Sequence, residues 1–345
     1  VLVKGAEAQG HKTIAVAADA NIVDTHDAPA CARKQENAPD YVEEYLRSLE
    51  SCDTADYKTQ IVRGIPQNPT FDPVKYENVI NEFETKDGDV FLATYIRSGT
   101  TWTQQIIHSL LRQGKEGGKY GESVPWLEAC AASPDMVGPR EAPGWTMESI
   151  NAAPAPRYFK THATVEDLPR GKANIKTIIV ARNPKDTAVS AYHHAKSKPE
   201  FGYTGDFIKF CEIFLAGKVE DGSWFDHVLN WYNKSKREPL THLFLQYEDM
   251  YDDLPSAVKR IAVFLGIPIS DEILARVVQA ATIDGMKAHS NIGMNHLRHG
   301  GYGNWRDTFT VRLSETFDDV YKYKMKGSGL TFKFGKNSHS EDVIM

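Results

Sequence analysis

The 345-residue chain lacks the features that mark membrane proteins, disulfide-rich secreted proteins and nucleic-acid-binding proteins. No run of apolar residues approaches the roughly 18 needed to cross a bilayer. Only four cysteines are present, and they form neither a CxxC zinc motif nor a paired framework, which predicts reduced thiols in a cytoplasmic protein. The 46 acidic residues outnumber the 40 basic ones, so the net charge is −6 and the basic surplus of a nucleic-acid binder is missing. We therefore expect neither a membrane nor a nucleic acid as partner.

The composition that remains is that of an ordinary globular protein, with 41% apolar and 25% charged residues. Short apolar runs at 90–95, 175–181 and 242–246 are typical of buried parallel strands. Helical patterns are predicted over 101–112, 184–196, 254–265, 270–280 and 314–324. The alternation predicts an α/β fold, a single domain with a mainly parallel central sheet flanked by helices on both faces.

The chain divides into three predicted parts. Residues 1–56 are rich in Ala and Asp and are expected to form a loosely docked extension, in which only 41–49 has an amphipathic helical pattern. The domain itself is expected over 57–335, and the polar residues 336–345 are expected to form a flexible tail.

The segment between the first strand and the first long helix, residues 94–102, carries groups suited to binding an anion. Unpaired amides at a helix N-terminus attract phosphate or sulfate. Gly99 lets the backbone approach an anion closely, Arg97 adds a planar positive group, and Thr100 and Thr101 add hydroxyls. An ordinary capped helix start with an exposed arginine is the alternative. The Walker A spacing is absent, which disfavours a P-loop kinase that uses ATP.

A second strand-to-helix turn carries a similar group of residues, at 182–186. Arg182 and Ser190 are eight residues apart, so the helix alone does not bring them together. Two anion-ready turns on one sheet would suit a single ligand with two phosphate groups.

In their order along the chain, these segments resemble the cytosolic-type sulfotransferase family, whose members move a sulfuryl group from 3′-phosphoadenosine-5′-phosphosulfate (PAPS) to a hydroxyl or amine. Residues 95–102 (YIRSGTTW) resemble the family's loop for the 5′-phosphosulfate, 155–162 (APRYFKTH) the stretch with its catalytic histidine, and 181–190 its 3′-phosphate motif. Further similar segments are 124–128, 222–228, 247–250, 298–300 and 303–306. The resemblance covers about 57–334 and implies the P-loop-like nucleotide fold of sulfotransferases.

The resemblance implies catalytic roles for four residues. His162 would be the general base, because a neutral imidazole can take the acceptor's proton near neutral pH. Lys160 and Arg97 would offset charge at the transferring group and the leaving phosphate. Ser190 is the fourth residue of the implied catalytic set.

The nucleotide-binding residues implied by the resemblance fall into three groups. The 5′-phosphosulfate would be held by the first turn, the 3′-phosphate by Arg182 and Ser190 with residues near Gly300, and the adenine between aromatic and aliphatic side chains. The implied set is Arg97, Ser98, Gly99, Thr100, Thr101, Trp102, Arg182, Ser190, Tyr247, Thr282, Ile283, Arg298, His299 and Gly300.

The chain departs from the family pattern at several of these positions. Arg97 stands where the family usually has lysine, and an arginine stays charged but does not readily give up a proton. The same change resembles retinol dehydratase, a family member that carries an alcohol on to elimination. Ile96, Ile283 and His299 also differ from the family pattern. A dehydratase-like or non-transferring protein that binds PAPS or its product PAP is therefore the alternative function.

The resemblance says least about the acceptor and the partners. Trp126, His162, Trp145 and Tyr203 are the predicted substrate-binding residues. Glu128, with Asp135 and Glu141, suggests a cationic or polar acceptor unless these residues are solvated surface charges. No metal is expected.

The last predicted segment concerns self-association. Arg306, Thr310, Val311 and Glu315 resemble the family's dimerisation segment, which implies a homodimer.

Overall fold

The computed structural model describes residues 40–132, 146–169, 171, 173–289 and 300–335. Several predicted residues lie outside the described residues, namely Asp135, Glu141, Trp145, Arg298 and His299. Residues 1–39 and 336–345 lie outside them as well. No described helix is long and apolar enough to cross a membrane.

A parallel sheet organises the described chain. The strands are β1 Gln60–Val62, β2 Ile65–Gln67, β3 Val90–Thr94, β4 Tyr158–Thr161, β5 Lys176–Ala181 and β6 His242–Gln246. The last four form one sheet in the order β4-β3-β5-β6, with every pair parallel. The carboxyl ends of these strands therefore meet at one edge.

Helices connect and cover the strands. They are α1 Asp40–Glu50, α2 Pro73–Glu82, α3 Thr100–Leu111, α4 Tyr120–Ser123, α5 Met147–Ala152, α6 Pro184–Ser197, α7 Phe207–Leu215, α8 Trp224–Arg237, α9 Tyr247–Asp252, α10 Leu254–Leu265, α11 Asp271–Ala280, α12 Ile283–His289 and α13 Val311–Met325. Short 3₁₀ helices cover Leu127–Ala131 and Asn304–Asp307. The predicted α/β class is confirmed, and strand β6 and helix α10 have the predicted bounds.

The two faces of the sheet bury different sets of side chains, as period-two alternation requires. Leu92 and Ile178 pack with residues of α3, α10 and α11 on one face. Phe91 and Ile179 pack with Phe159 and with residues of α2 and α8 on the other. Both faces are covered, which explains why β3 and β5 read as nearly continuous apolar runs.

Helix α1 belongs to the packed part of the chain. Val42 and Leu49 are buried in a core cluster that also contains residues of α7 and α13. The predicted boundary at residue 57 follows the family resemblance, whereas the packing extends back to residue 40.

The edge strand β4, which the sequence did not predict, is anchored at its start by a buried ion pair. Arg157 Nε donates to Asp89 Oδ1 at 2.9 Å, and its Nη2 lies 2.5 Å from Oδ2. Asp89 is fully buried, and the guanidinium stacks over the ring of Phe83 at 4.9 Å. The pair joins the residue before β4 to the residue before β3.

We expect Asp89→Asn to lower the free energy of unfolding by about 3–5 kcal/mol, because it leaves the Arg157 charge buried without its partner. Urea unfolding measures the change, with Glu82→Gln on the exposed end of α2 as the control. A loss as small as that of the control would show that the pair contributes little.

Candidate functional site

The turn between β3 and α3 has a backbone that a side chain would disturb. Gly99 adopts φ +102°, in the left-handed region, and an added Cβ would lie 2.8 Å from Cδ2 of Tyr247. No side chain caps the N-terminus of α3, which Gly99 precedes. Arg97 is also left-handed, with φ +62°. The first amides of α3 are therefore left without a side-chain cap, an arrangement that suits the predicted anion site.

The structure brings the two predicted anion-binding turns together. Arg97 Nε donates a hydrogen bond to Ser190 Oγ at 3.1 Å, from the first turn to helix α6. Arg182 Nη1 donates to the carbonyl of Arg97 at 3.4 Å. These contacts join the two turns and bring Arg97 and Arg182 together.

Arg182 is held flat against an aromatic ring. Its guanidinium lies 4.5 Å from the centre of the Tyr247 ring, and its Nη2 donates to the Gly301 carbonyl at 2.9 Å. Its Nε is buried and has no hydrogen-bond partner in the described part of the chain. Buried donors without a partner are rare in folded proteins.

A group of buried polar residues that the sequence analysis did not single out fixes the second turn. Glu248 Oε1 accepts from the backbone N–H of Asn183 at 2.8 Å. Asp186 accepts from the N–H groups of Gly303 at 2.6 Å and Trp305 at 3.1 Å. Burial raises the pKa of Glu248 to about 7. Their positions inside the matched segments 181–190 and 247–250 were the only sequence signal for them.

The residues predicted around an adenine ring are also neighbours. Trp102 donates from Nε1 to the Ala281 carbonyl at 2.8 Å, and its ring lies 5.1 Å from that of Tyr247. Ile283 lies against Gly300, where an added Cβ would be 2.3 Å from Cδ1 of Ile283. The Thr282 hydroxyl instead accepts a hydrogen bond from the N–H of Gly285 at 3.0 Å, in the first turn of helix α12.

His162 follows strand β4 and is oriented by strand β3. Its Nδ1 lies 2.8 Å from the carbonyl oxygen of Thr94. A carbonyl can only accept, so Nδ1 carries the proton and the neutral ring keeps its lone pair on Nε2. The Thr94 hydroxyl in turn lies 2.6 Å from that of Thr100, at the start of α3.

Glu128 supports the backbone at His162. Its Oε1 accepts from the N–H of His162 at 2.9 Å and from the Thr161 hydroxyl at 2.5 Å. The side chain is only 4% exposed, so it is not a solvated surface charge. Burial raises its pKa.

Lys160 and Trp126 lie beside the histidine. Lys160 Nζ is 5.0 Å from the centre of the Trp126 ring, a cation–π distance. The rings of Trp126 and His162 are 6.2 Å apart. The N–H of Lys160 donates to the Pro125 carbonyl at 2.9 Å, which fixes the Trp126 segment along β4.

Tyr203 was also predicted to bind the substrate. Tyr203 is buried in an aromatic cluster with Tyr57, Tyr192 and Phe210, and its hydroxyl donates to the Asp206 carbonyl at 2.7 Å. Its role toward a substrate stays a prediction.

The predicted dimerisation residues surround the start of α13. Thr310 caps α13, and Arg306 Nη1 donates to the Phe334 carbonyl at 2.7 Å. Val311 is 76% exposed, and Glu315 is also exposed. Among the described residues, no cluster of His, Cys, Asp and Glu could hold a metal ion.

A family model described as the sulfotransferase domain matches residues 87–329, which include both turns and His162. Sulfotransferase 1B1 of Mus musculus is 34% identical over 79% of this chain and 94% of its own length. Sulfotransferase 1C2 of Homo sapiens is 31% identical over 81% of this chain and 98% of its own length. The chain belongs to the sulfotransferase family.

Solved sulfotransferase structures share its fold. Mouse sulfotransferase SULT7A1, solved with PAP, superposes with a TM-score of 0.63 at 29% identity, covering 78% of this chain and 95% of that one. Retinol dehydratase, solved with retinol and PAP, gives a TM-score of 0.67 at 23% identity over 83% of this chain and 95% of its own. The second likeness concerns the fold alone.

Burial is the main reason that the pKa of His162 falls from 6.5 to about 3, with further lowering by the charge of Lys160. Burial likewise lowers the pKa of His227 to about 4. Both rings are therefore neutral at neutral pH in the folded protein. As the pH falls below 6.5, the two histidines take up protons in the unfolded chain but not in the folded one. They therefore lower the free energy of unfolding progressively between pH 6.5 and about pH 3.

We expect the His162 ring to remain neutral and protonated on Nδ1 at pH 5.5 in the nucleotide-free protein, below its ordinary pKa of 6.5. Long-range nitrogen–proton NMR spectra of the ring measure both properties, and His162→Gln assigns the signals. Unfolded protein in urea is the control and should titrate normally. Protonation of the ring above pH 6 would contradict the buried environment.

Proposed function

We propose that this sulfotransferase uses PAPS to transfer a sulfuryl group in line to a hydroxyl or amine of a small-molecule acceptor, with His162 as general base. The observation that carries the proposal is the hydrogen bond from His162 Nδ1 to the Thr94 carbonyl. It leaves the lone pair of Nε2 available to the acceptor's proton, next to the turn that is proposed to bind the 5′-phosphosulfate.

The residues present fit a nucleotide with two phosphate groups. Gly99 leaves room that a Cβ would fill, and the buried Arg182 Nε has no partner among the described residues. The first turn would hold the 5′-phosphosulfate, Arg182 and Ser190 the 3′-phosphate, and Trp102 with Tyr247 the adenine. The PAP in the mouse SULT7A1 structure supports this assignment. Arg298 and His299 complete the proposed set by resemblance alone.

PAPS, when bound, supplies the sulfuryl group, whose bond to the phosphate oxygen breaks as its bond to the acceptor oxygen or nitrogen forms. His162 accepts the acceptor's proton on Nε2, and the Thr94 carbonyl stabilises the resulting imidazolium through Nδ1–H. Glu128 holds the His162 backbone in place. Lys160 and Arg97 stabilise the negative charge that shifts onto the leaving phosphate. Trp126 is proposed to line the acceptor side, since its ring faces His162.

Arg97 is the specific observation that supports a second candidate. Its guanidinium keeps its charge but is a poor proton donor, so the leaving phosphate would depart without protonation from this residue. A sulfated alcohol that is held in the site would then react further by elimination, as the resemblance to retinol dehydratase suggests. Its C–O bond to the sulfate breaks, the electron pair of a neighbouring C–H bond forms a C=C bond, and the proton passes to water or to a basic side chain. The mass of the product separates the two reactions.

A second copy of the chain is the proposed protein partner. The exposed Val311 and Glu315, with Thr310 and Arg306, are proposed to form a small homodimer contact. A cytoplasmic location likewise remains a prediction from the resemblance.

Replacing His162 by Ala should lower kcat by about a hundredfold or more, the usual contribution of a general base. Its affinity for PAP should stay close to that of the wild type, because the residues proposed to hold the nucleotide are unchanged. Kinetics with PAPS and a panel of phenols and alcohols, with calorimetry for PAP, measures both. Partial rescue of the variant by added imidazole is expected, and unchanged turnover would contradict the assignment of the base.

Replacing Arg97 by Lys should retain or raise sulfuryl transfer, because lysine keeps the charge and can also donate a proton. Mass spectrometry of the product with wild type and variant measures transfer and elimination separately. A complete loss of transfer would show that the planar group, bonded to Ser190, is specifically required.

A further inference from the structure

Two adjacent acidic residues, Glu220 and Asp221, are buried between helices α7 and α8. Each is only 6% exposed. Buried carboxyl groups normally have full sets of hydrogen-bond partners or a cation beside them. We call these two residues the buried carboxyl pair.

The backbone of the pair is rigidly positioned. Asp221 is left-handed, with φ +65°, and its N–H donates to the Pro66 carbonyl at 2.9 Å. The next carbonyl, of Gly222, accepts from the hydroxyl of Tyr95 at 2.8 Å. Tyr95 opens the β3–α3 turn, so the pair is tied directly to the nucleotide-binding segment.

The hydrogen bonds of the buried carboxyl pair are incomplete. Asn68 Nδ2 donates to Glu220 Oε1 at 3.2 Å, and Gln67 supplies a hydrogen bond to Asp221. Asp221 Oδ2 nevertheless has no partner among the described residues, and neither does Oε2 of Glu128. Two buried carboxyl oxygens thus lack a hydrogen-bond partner among the described residues.

A series of contacts leads from the pair to the proposed acceptor side of His162. Asn68, which donates to Glu220, accepts through its carbonyl from the N–H of Phe71 at 3.2 Å, and the Phe71 ring lies 5.5 Å from that of Trp126. The Trp126 ring is in turn 6.2 Å from that of His162. These contacts connect the carboxyl pair with the region beside the proposed catalytic histidine.

The surroundings of Asp221 disfavour its ionised form in the absence of a ligand. The cations near the pair are Arg97, Lys198 and, when protonated, His194, which lies 3.9 Å from Glu220 Oε2. Lys198 is paired with Glu200 at 3.7 Å. Burial raises the pKa of Asp221 well above its ordinary value, and the charges of Glu220 and Glu128 raise it further. A positively charged ligand group would offset the cost of this arrangement.

We propose that the acceptor of this enzyme carries a protonated amine, which binds Asp221 and Glu220 while the group to be sulfated faces His162. The inference rests on the proposed function, since it names the acceptor class of the same site. The amine supplies the donors that Asp221 Oδ2 lacks, and charge-assisted hydrogen bonds of this type are the strong ones.

The first test compares tyramine with para-propylphenol, which has nearly the same shape but no charge. Calorimetry on the PAP-loaded protein should show tyramine binding about tenfold or more tightly, as expected for a hydrogen bond to a charged group. Equal binding, preference for para-propylphenol, or no binding of tyramine would overturn the inference.

The second test asks whether the buried carboxyl pair is the source of the preference. Asp221→Asn and Glu220→Gln should each reduce the ratio of tyramine to para-propylphenol affinity by about tenfold, while Glu212→Gln, on the more exposed side of α7, should leave it intact. Circular dichroism confirms folding, and Glu220→Gln decides the matter if Asp221→Asn does not fold. A ratio unchanged by both variants would overturn the inference.

Turnover with PAPS separates this inference from the proposed function. A preference for tyramine without any sulfated product would support the amine site and contradict the transferase. Sulfation of para-propylphenol at equal or greater kcat/KM would support the transferase and contradict the amine site.

Discussion

The site depends on the parallel register between β3 and β4. Ala93 lies opposite Thr161, so the residues that follow, Thr94 and His162, emerge side by side at the carboxyl edge of the sheet. This register allows His162 Nδ1 to reach the Thr94 carbonyl. One backbone pairing thus sets the tautomer of the histidine and its distance from the β3–α3 turn. The buried Arg157–Asp89 pair at the other end of these strands helps to hold that register.

Four carboxyl groups in and near the proposed site carry a free-energy cost of burial. Glu128, Glu220, Asp221 and Glu248 are all fully or nearly buried, and burial raises the pKa of each. Glu128 and Glu248 offset part of this cost with hydrogen bonds to backbone amides that shape the turns. Asp221 retains an oxygen without a partner among the described residues. Incomplete satisfaction at such a position is typical of a site that is completed by its ligand.

Much of the fold could be predicted because its signals are local. The apolar runs of β3 and β5 are buried on both faces. The start of α6 at Pro184 and the end of α10 before Gly266 follow from the backbone geometry of proline and glycine. The edge strand β4 was missed because half of its side chains are polar and partly exposed. Without a continuous apolar run, its pairing with β3 becomes visible only in the assembled sheet.

The sequence by itself determined the identity of the two anion-ready turns, since glycine, arginine and hydroxyl residues before a helix have the same physical properties in any fold. It also indicated His162 through the order of motifs around it. Only the tertiary structure decided that Arg97 bonds Ser190, that Glu128 is buried behind His162, and that Asn68 bonds Glu220. These hydrogen bonds join residues 93, 34 and 152 positions apart in sequence. Contacts of that kind depend on how strands and helices pack, which local sequence patterns do not specify.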